Sequence, residues 1–247
     1  GSLQFEIGIQ TLNPQVATNV SRKNDLKKVA ENFKFLKEMT HVHTHADLIV
    51  GLPGETFDSF GEGFDQLASF EPDEIQVGIL KRLKGTPISR HEKNFSLLYS
   101  EKPPYQILST SHLSFNELQK LTRFAKFWDL YANSGEFKNY MAWMRKQEGS
   151  FFRSFFNFSE YLSKDFSEMH SLALLTLAEK AYHYLLTSGV DTEVAETIIL
   201  NDYSNGAKKR DVPGFLKKTQ KVMKKDLPNI SLRLRQQKHA QTIESVN

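Results

Sequence analysis

Three short apolar segments near the start of the chain, separated by amphipathic ones, constrain the fold more than any other feature. Residues 3–10 alternate as a strand does, and residues 45–51 and 74–80 are short, apolar runs with β-branched side chains. Residues 25–39 and the segment after Gly54 space their apolar side chains three to four apart, as amphipathic helices do. The order strand, helix, strand, helix, strand predicts parallel strands joined by right-handed crossovers.

Two local details refine this prediction. Asn13 and Pro14 are typical of the cap and first position of a short helix after the first strand. The run at 45–51 is apolar enough for a strand buried on both faces. So few helices cannot cover both faces of a sheet of three parallel strands. The α/β part therefore resembles half of a larger unit.

The chain becomes helical after a connecting stretch that reaches about Leu113. Apolar spacing predicts a helix from Ser114 onward, a long one over about 168–188 and another over about 193–202. The fold class is therefore α/β followed by all-α. We divide the chain into an α/β part at 1–110, a helical part at 111–206 and a basic tail at 207–247.

The aromatic run "FFRSFFNFSEYL" at 151–162 allows two interpretations. It would either line a substrate pocket or form part of the hydrophobic core. Clustered aromatic side chains are more often core, and we favour that interpretation.

Composition excludes several classes of function. The 247 residues contain no cysteine, which excludes disulfides, thiolate metal ligands and a cysteine nucleophile within this sequence. No apolar run approaches the ~18 residues that span a bilayer, and the start of the sequence lacks a signal-peptide pattern. We expect a cytoplasmic protein without membrane contact. No Ser-His-Asp arrangement, Walker loop or HExxH motif occurs, so no catalytic residue is named.

Positive charge is concentrated in the tail. Residues 207–247 carry eleven Lys or Arg against three acidic residues, a net charge of +8, whereas the rest of the chain has −5. Such a segment is a plausible phosphate-binding surface, which makes a non-catalytic RNA- or protein-binding module one alternative function. No aromatic side chains interleave with the lysines to stack on bases, so a solvated helix is the favoured interpretation.

Polar residues at the ends of the predicted strands suggest a ligand site. Gln10 ends the first strand, Asp47 lies within the second and Gly51 closes it. Ligands of parallel α/β folds gather at the carboxyl ends of strands, and an amide with a carboxylate suits the two hydroxyls of a ribose. Arg22 would bind a carboxylate or phosphate. The alternative is a structural turn beside a buried, satisfied aspartate.

His41, His43 and His45 alternate in "HVHTH", and a strand would place all three on one face. Metal binding there is one hypothesis, but we favour solvated or structural histidines, since sequence shows no supporting groups around them. No metal site is therefore assigned from the sequence.

Three segments resemble the radical S-adenosylmethionine (SAM) barrel. "FEIGIQTLNPQVATNVSR", "HADLIVGLPGETFDSF" and "EIQVGILKRLKGTPI" are similar, in order and spacing, to its fourth, fifth and sixth strands. The nearest resemblance is to the cobalamin-binding type and its relatives, which include oxygen-independent coproporphyrinogen oxidases and anaerobic Mg-protoporphyrin IX monomethyl ester oxidative cyclases. The helical remainder resembles the uncharacterised C-terminal domain of some cobalamin-type members.

The resemblance implies roles for particular residues. Gln10 and Asp47 would bind the ribose of SAM, and Arg22 would bind its carboxylate. Ile49 and the backbone of Gly51 would lie beside the adenine. Glu6, on the first strand, is a weaker candidate for the same site.

The resemblance also implies parts that this sequence lacks. The family reaction needs a CxxxCxxC loop that holds a 4Fe–4S cluster, and this sequence has no cysteine. We expect the chain to be a fragment whose N-terminal half carries the cluster and the cobalamin and is its main partner. Alone it should not cleave SAM. The whole protein would perform radical-based methylation, oxidative cyclisation or rearrangement on an unknown substrate.

Overall fold

The computed structural model describes residues 3–23, 25–166 and 172–204, together with residues 210, 213 and 216. Three parallel strands form its main sheet: β1 (Gln4–Gln10), β2 (His43–Val50) and β3 (Glu74–Ile79), in the order β1-β2-β3. Both pairings are parallel, which confirms the predicted topology of the first part of the chain.

Three helices make the crossovers. The chain passes from β1 to β2 through α1 (Pro14–Asn19) and α2 (Leu26–Met39), and from β2 to β3 through α3 (Phe57–Ser69). The Asn13 side chain accepts hydrogen bonds from the first turn of α1, as its position before a proline predicts. Thr56 begins α3 with a capping box, which fixes the turn that follows β2.

The sheet has one buried face and one partly open face. The buried side chains of β2 alternate with half-buried ones, so the expectation of burial on both faces was wrong. The physical reason is the polarity of the side chains. One face of β2 carries two histidines and an aspartate, whereas the other carries only apolar or small side chains. The buried set is Thr44, Ala46, Leu48 and Val50, and the half-buried set is His43, His45, Asp47 and Ile49.

A small antiparallel sheet interrupts the predicted connecting stretch. It pairs β4 (Leu98–Tyr99) with β5 (Ile107–Ser109). The Ile107 N–H donates to the Leu80 carbonyl oxygen at 2.9 Å, so this hairpin continues from the end of β3. Neither of its strands was predicted from the sequence.

The rest of the described chain is helical, which confirms the predicted class. The prediction of a long helix over 168–188 is seen from residue 174, whereas residues 167–171 lie outside the described ones. A short π-helical turn, Asp129–Asn133, follows the helix that ends at Trp128. The helices are α4 (Phe115–Trp128), α5 (Lys138–Arg145), α6 (Phe151–Ser163), α7 (Leu174–Thr187) and α8 (Thr192–Ser204).

One hydrophobic core joins the sheet to the helices. Buried residues from β1 to α8 belong to a single cluster. The Phe64 ring of α3 packs edge-on against Phe124 and Trp128 of α4, with centroids 5.2 and 4.8 Å apart. In the run 151–162, Phe152, Phe155 and Phe158 are all at most 1% exposed, which confirms the core interpretation of that segment.

The domain boundaries predicted near residues 110 and 206 stay predictions, since the shared core crosses the first of them. Most of the basic tail lies outside the described residues. Arg210 is described, and its guanidinium forms two hydrogen bonds of 3.0 Å with the Glu136 carboxylate. At least this tail residue therefore binds the helical part rather than facing solvent freely.

Candidate functional site

A pocket lies at the carboxyl ends of the three parallel strands. Its volume is about 380 Å³, and three of the predicted site residues line it: Gln10, Arg22 and Ile49. The segment after β3 forms another wall, from Lys81 to His91. The structure therefore shows a cavity at the edge of the sheet where the sequence analysis placed a ligand site.

Gln10 and Arg22 converge over Gly8. A Cβ at Gly8 would lie 2.7 Å from Gln10 Nε2 and 3.9 Å from Arg22 Nη2. Arg22 Nη1 also donates a hydrogen bond to the Gly8 carbonyl oxygen at 3.4 Å. The missing side chain at position 8 leaves room for both polar groups above the strand, where a ligand can reach them.

The backbone around Gln10 explains its orientation. The pairing of β1 with β2 shifts register between Gly8 and Gln10, and Gln10 has a φ of 69° in the left-handed region. Such a conformation is uncommon for a residue other than glycine and is found often at functional sites. The irregularity turns the Gln10 side chain away from the position that regular pairing would give it.

The pocket is positively charged. Arg22, Lys81 and Arg90 line it, and none of the described lining residues is acidic. Arg90 Nη2 donates to Ser21 Oγ at 2.6 Å, which fixes its guanidinium beside the end of α1. This arrangement suits a ligand that carries a carboxylate or phosphate group.

Asp47 lies on the open face of the sheet, nearer the start of β2 than the pocket does. It is paired in register with Gly8, two residues before Ile49, or about 7 Å along the strand. Its Oδ1 is buried and has no hydrogen-bond partner among the described residues. Burial raises the pKa of this carboxyl, and the Glu6 carboxylate raises it further, whereas His45 lowers it.

Two other predicted residues are not part of the pocket wall. Glu6 is exposed on the same face, in register with His45. Gly51 has a φ of +90°, and a Cβ there would lie 2.7 Å from Ile107 Cγ2. The turn and the close packing of β5 therefore account for a glycine at this position.

Sequence reasoning missed Lys81 and Arg90, and it also missed Glu55. Glu55 is 1% exposed and accepts hydrogen bonds from Ser59 Oγ at 3.1 Å and Thr11 Oγ1 at 3.4 Å. Burial raises the pKa of its carboxyl to about 7, against the opposing effect of these two donors. Glu55 is the acidic residue of the "LPGET" turn, but nothing in the local sequence pattern distinguishes a buried glutamate from an exposed one.

The three histidines of "HVHTH" separate into two groups. β2 begins at His43, so His41 is exposed and lies before the strand. His43 and His45 share the open face, where Glu74 of β3 is in register with His45. The expectation that a strand would bring all three histidines to one face was therefore correct for two of them.

Residues 93–247, more than half of the chain, match a family model described as a protein of unknown function (DUF4080). The chain belongs to the DUF4080 family. The matched region of this DUF4080 protein begins before β4 and includes all helices from α4 onward, whereas β1, β2 and β3 lie outside it.

Two similarities concern coproporphyrinogen III oxidase. The oxygen-independent enzyme of Escherichia coli (strain K12) is 30% identical over 77 residues, which are 31% of the DUF4080 chain and 17% of the oxidase. A solved structure of coproporphyrinogen III oxidase (HemN) from Escherichia coli, described as a radical SAM enzyme, is 22% identical, with a TM-score of 0.37. That alignment covers 53% of the DUF4080 chain and 27% of the other. The matched segments thus span less than a third of the relatives' length.

The part of the DUF4080 chain that the structure describes contains no helix long and apolar enough to cross a bilayer.

Proposed function

We propose that residues 3–91 form one side of an SAM site of the radical SAM type. The observation that carries this proposal is that Gln10, Arg22 and Ile49, chosen from the sequence for SAM, line the same pocket. The 30% identity to oxygen-independent coproporphyrinogen III oxidase over 77 residues also supports it.

The pocket fits the proposed ligand in size and chemistry. Its volume of about 380 Å³ lies within the ~300–1,000 Å³ range of small-molecule sites. The guanidinium of Arg22 suits the carboxylate of SAM, and the Gln10 amide suits a ribose hydroxyl. Ile49 and Leu52 provide apolar surface for the adenine.

Asp47 is proposed as a second contact for the ribose. Its buried Oδ1 lacks a partner among the described residues, and an incoming hydroxyl donor would satisfy it. Because Asp47 lies below the pocket wall, this contact needs the ligand to extend onto the open face beside Gly8. The contact of the Gly51 backbone with the adenine and the weaker candidate Glu6 stay predictions, since neither residue lines the pocket.

With a reduced 4Fe–4S cluster beside it, SAM held in this site would supply radical chemistry, the abstraction of hydrogen from a substrate. The present chain would bind and orient SAM through Gln10 and Arg22. Its sequence contains no cysteine, so the proposal requires cluster ligands from polypeptide outside these 247 residues. Cobalamin, the substrate and the choice between methylation, oxidative cyclisation and rearrangement stay predictions, because no described contact bears on them.

The test compares two ligands on the full chain by isothermal titration calorimetry. 5′-Methylthioadenosine shares the adenosine and sulfur of SAM but lacks its amino-acid part. We expect Arg22→Met to weaken SAM binding by about 10–100-fold, the value of a charge-assisted contact, and to leave methylthioadenosine binding unchanged. Gln10→Ala should weaken both ligands.

The matched control is Arg153→Met, an exposed arginine on α6 that does not line the pocket. It should bind both ligands as the wild type does. Absence of SAM binding by the wild-type chain would contradict the proposal, and so would an equal loss of both ligands in Arg22→Met.

A further inference from the structure

A second cluster of polar side chains lies on the open face, away from the pocket. His43 Nε2 is 2.9 Å from one carboxylate oxygen of Glu74, and His45 Nε2 is 3.3 Å from the other. The two imidazole rings lie edge to face with their centroids 5.1 Å apart. We propose that His43, His45 and Glu74 bind a divalent transition-metal ion of the zinc class.

The spacing of the donor atoms suits one ion. One donor atom from each of the three residues lies within 4.8 Å of the other two. Ligands held about 2.1 Å from a tetrahedral zinc ion are about 3.4 Å apart, so small side-chain rotations would bring these donors to a common centre. Two imidazoles with one carboxylate form a donor set that catalytic zinc and non-haem iron sites use.

The sheet itself builds the cluster. His43 and His45 are two residues apart on β2 and therefore project from the same face. Glu74 begins β3 and is paired in register with His45. Because two adjacent strands supply all three donors, their backbone positions are fixed by ladder hydrogen bonds rather than by a loop.

Asp73 is placed to orient His43. Its Oδ1 is 3.9 Å from His43 Nδ1, the ring nitrogen that does not face Glu74. Its Oδ2 accepts hydrogen bonds from the Thr44 N–H at 2.8 Å and the Thr44 hydroxyl at 2.9 Å. The separation of Asp73 Oδ1 from His43 Nδ1 is longer than a hydrogen bond, so the contact needs a small side-chain rotation. A carboxylate hydrogen-bonded to that nitrogen would set the ring's tautomer and strengthen the ligand, and we assign this positioning role to Asp73.

The surroundings favour a cation that keeps open coordination positions. Glu6 faces the same side in register with His45, and Asp47 is the next residue on this face of β2. The side chains of His43 and Glu74 are 41% and 28% exposed, so water or a substrate oxygen can approach the ion. A metal held there would act as a Lewis acid on that oxygen.

This site is distinct from the pocket. His45 precedes Ile49 by four residues, which is about 13 Å along the strand. None of the three proposed ligands lines the pocket. Zinc binding and SAM binding can therefore be tested separately.

Titration of the full chain with ZnCl₂ against a chromophoric chelator tests the proposal. We expect one zinc ion per chain with a Kd below about 1 μM, and this Kd should rise by more than ~100-fold in His45→Gln and in Glu74→Gln, which exceeds the ~10–100-fold effect of changing an orienting group. His41→Gln is the matched control, because it removes an exposed histidine of the same segment. It should bind zinc as the wild type does.

Two further measurements separate a built site from a chance histidine pair. Co²⁺ should give visible absorption bands that disappear in His45→Gln, and Mg²⁺ should not compete, because it prefers oxygen ligands. Asp73→Asn should weaken Zn²⁺ binding by about 10–100-fold while the Co²⁺ bands persist at saturation. Circular dichroism in EDTA verifies that each variant is folded. Zinc binding with a Kd above about 1 μM, or an equal loss in His41→Gln, overturns the proposal.

Discussion

Asn133 pairs through its side-chain amide with both backbone groups of Ile75. Its Nδ2 donates to the Ile75 carbonyl oxygen at 3.0 Å, and its Oδ1 accepts the Ile75 N–H at 3.3 Å. Trp128 Nε1 donates to the same carbonyl oxygen at 2.8 Å. Because β3 is the last strand of its sheet, these side chains occupy the place that a fourth strand would take at this residue.

Replacing Asn133 should therefore destabilise the protein. We expect Asn133→Ala to lower the free energy of unfolding by about 1–3 kcal/mol, because the Ile75 N–H loses its partner in a part-buried position. Urea denaturation followed by circular dichroism measures the change. Asn116→Ala, an exposed asparagine on α4, is the control and should shift stability by less than about 0.5 kcal/mol. Equal effects in the two variants would contradict the role of Asn133.

Two glycines of α3 should respond to alanine with opposite signs. A Cβ at Gly61 would lie 2.5 Å from the ring of the buried Phe152, whereas a Cβ at Gly63 would lie 3.6 Å from Leu12, an ordinary contact. We expect Gly61→Ala to cost about 1–3 kcal/mol through overpacking. Gly63→Ala should stabilise by about 0.5–1 kcal/mol through helix propensity. Thermal unfolding of both variants measures the two changes in stability. A stabilising Gly61→Ala would contradict the close contact between α3 and α6.

Glu55 should make stability depend on pH. Its pKa is about 7 in the folded protein and 4.5 as the reference value, so between these values the folded protein holds a proton that the unfolded chain has released. Stability then falls as pH rises through this window, by up to about 3 kcal/mol, and is constant above it. Glu55→Gln mimics the protonated side chain and should remove this dependence.

The measurement is the free energy of unfolding in urea at intervals from pH 4.5 to 8. The difference in unfolding free energy between the wild type and Glu55→Gln at each pH isolates the effect of this carboxyl from that of other titrating groups. Glu31→Gln, an exposed glutamate on α2, should retain the wild-type slope. A Glu55→Gln variant that loses as much stability over this range as the wild type would rule out the buried carboxylate as the cause.

Asp202 of α8 should be essential for the start of α5. Its carboxylate accepts the N–H groups of Asn139 and Tyr140 at 2.7 and 2.8 Å and is 4% exposed. We expect Asp202→Ala to cost about 3 kcal/mol, because both N–H groups lose their acceptor and that of Tyr140 is left unpaired in a buried position. Asp191→Ala removes an exposed carboxylate at the start of α8 and should cost about 1 kcal/mol. Chemical denaturation that ranks the two variants in the reverse order would contradict this assignment.

The repeating patterns of the sequence made the main elements predictable. β1, β2 and β3 were found because each has at least six residues with a clear polarity pattern, and α4 because of its apolar stripe. β4 and β5 were missed because strands of two and three residues are too short to show any period.

Residues of the candidate site could be chosen from the sequence only where they lie on strands or in the motif that follows them. Gln10 and Arg22 were chosen this way and Ile49 from the family resemblance, and all three line the pocket. Arg90 and Lys81 reach the same pocket from the segment after β3, whose path no local pattern specifies. Glu74 was likewise missed as a partner of His43 and His45, since the contact depends on the register between β2 and β3.

The shared core has a consequence for expressing this family. The DUF4080 region begins at residue 93, but Phe124 and Trp128 pack against Phe64, which precedes it. A recombinant protein cut to the family limits would leave an aromatic surface uncovered, and such a surface promotes aggregation. Soluble production of the helical part therefore calls for the preceding strands on the same polypeptide, or for their co-expression.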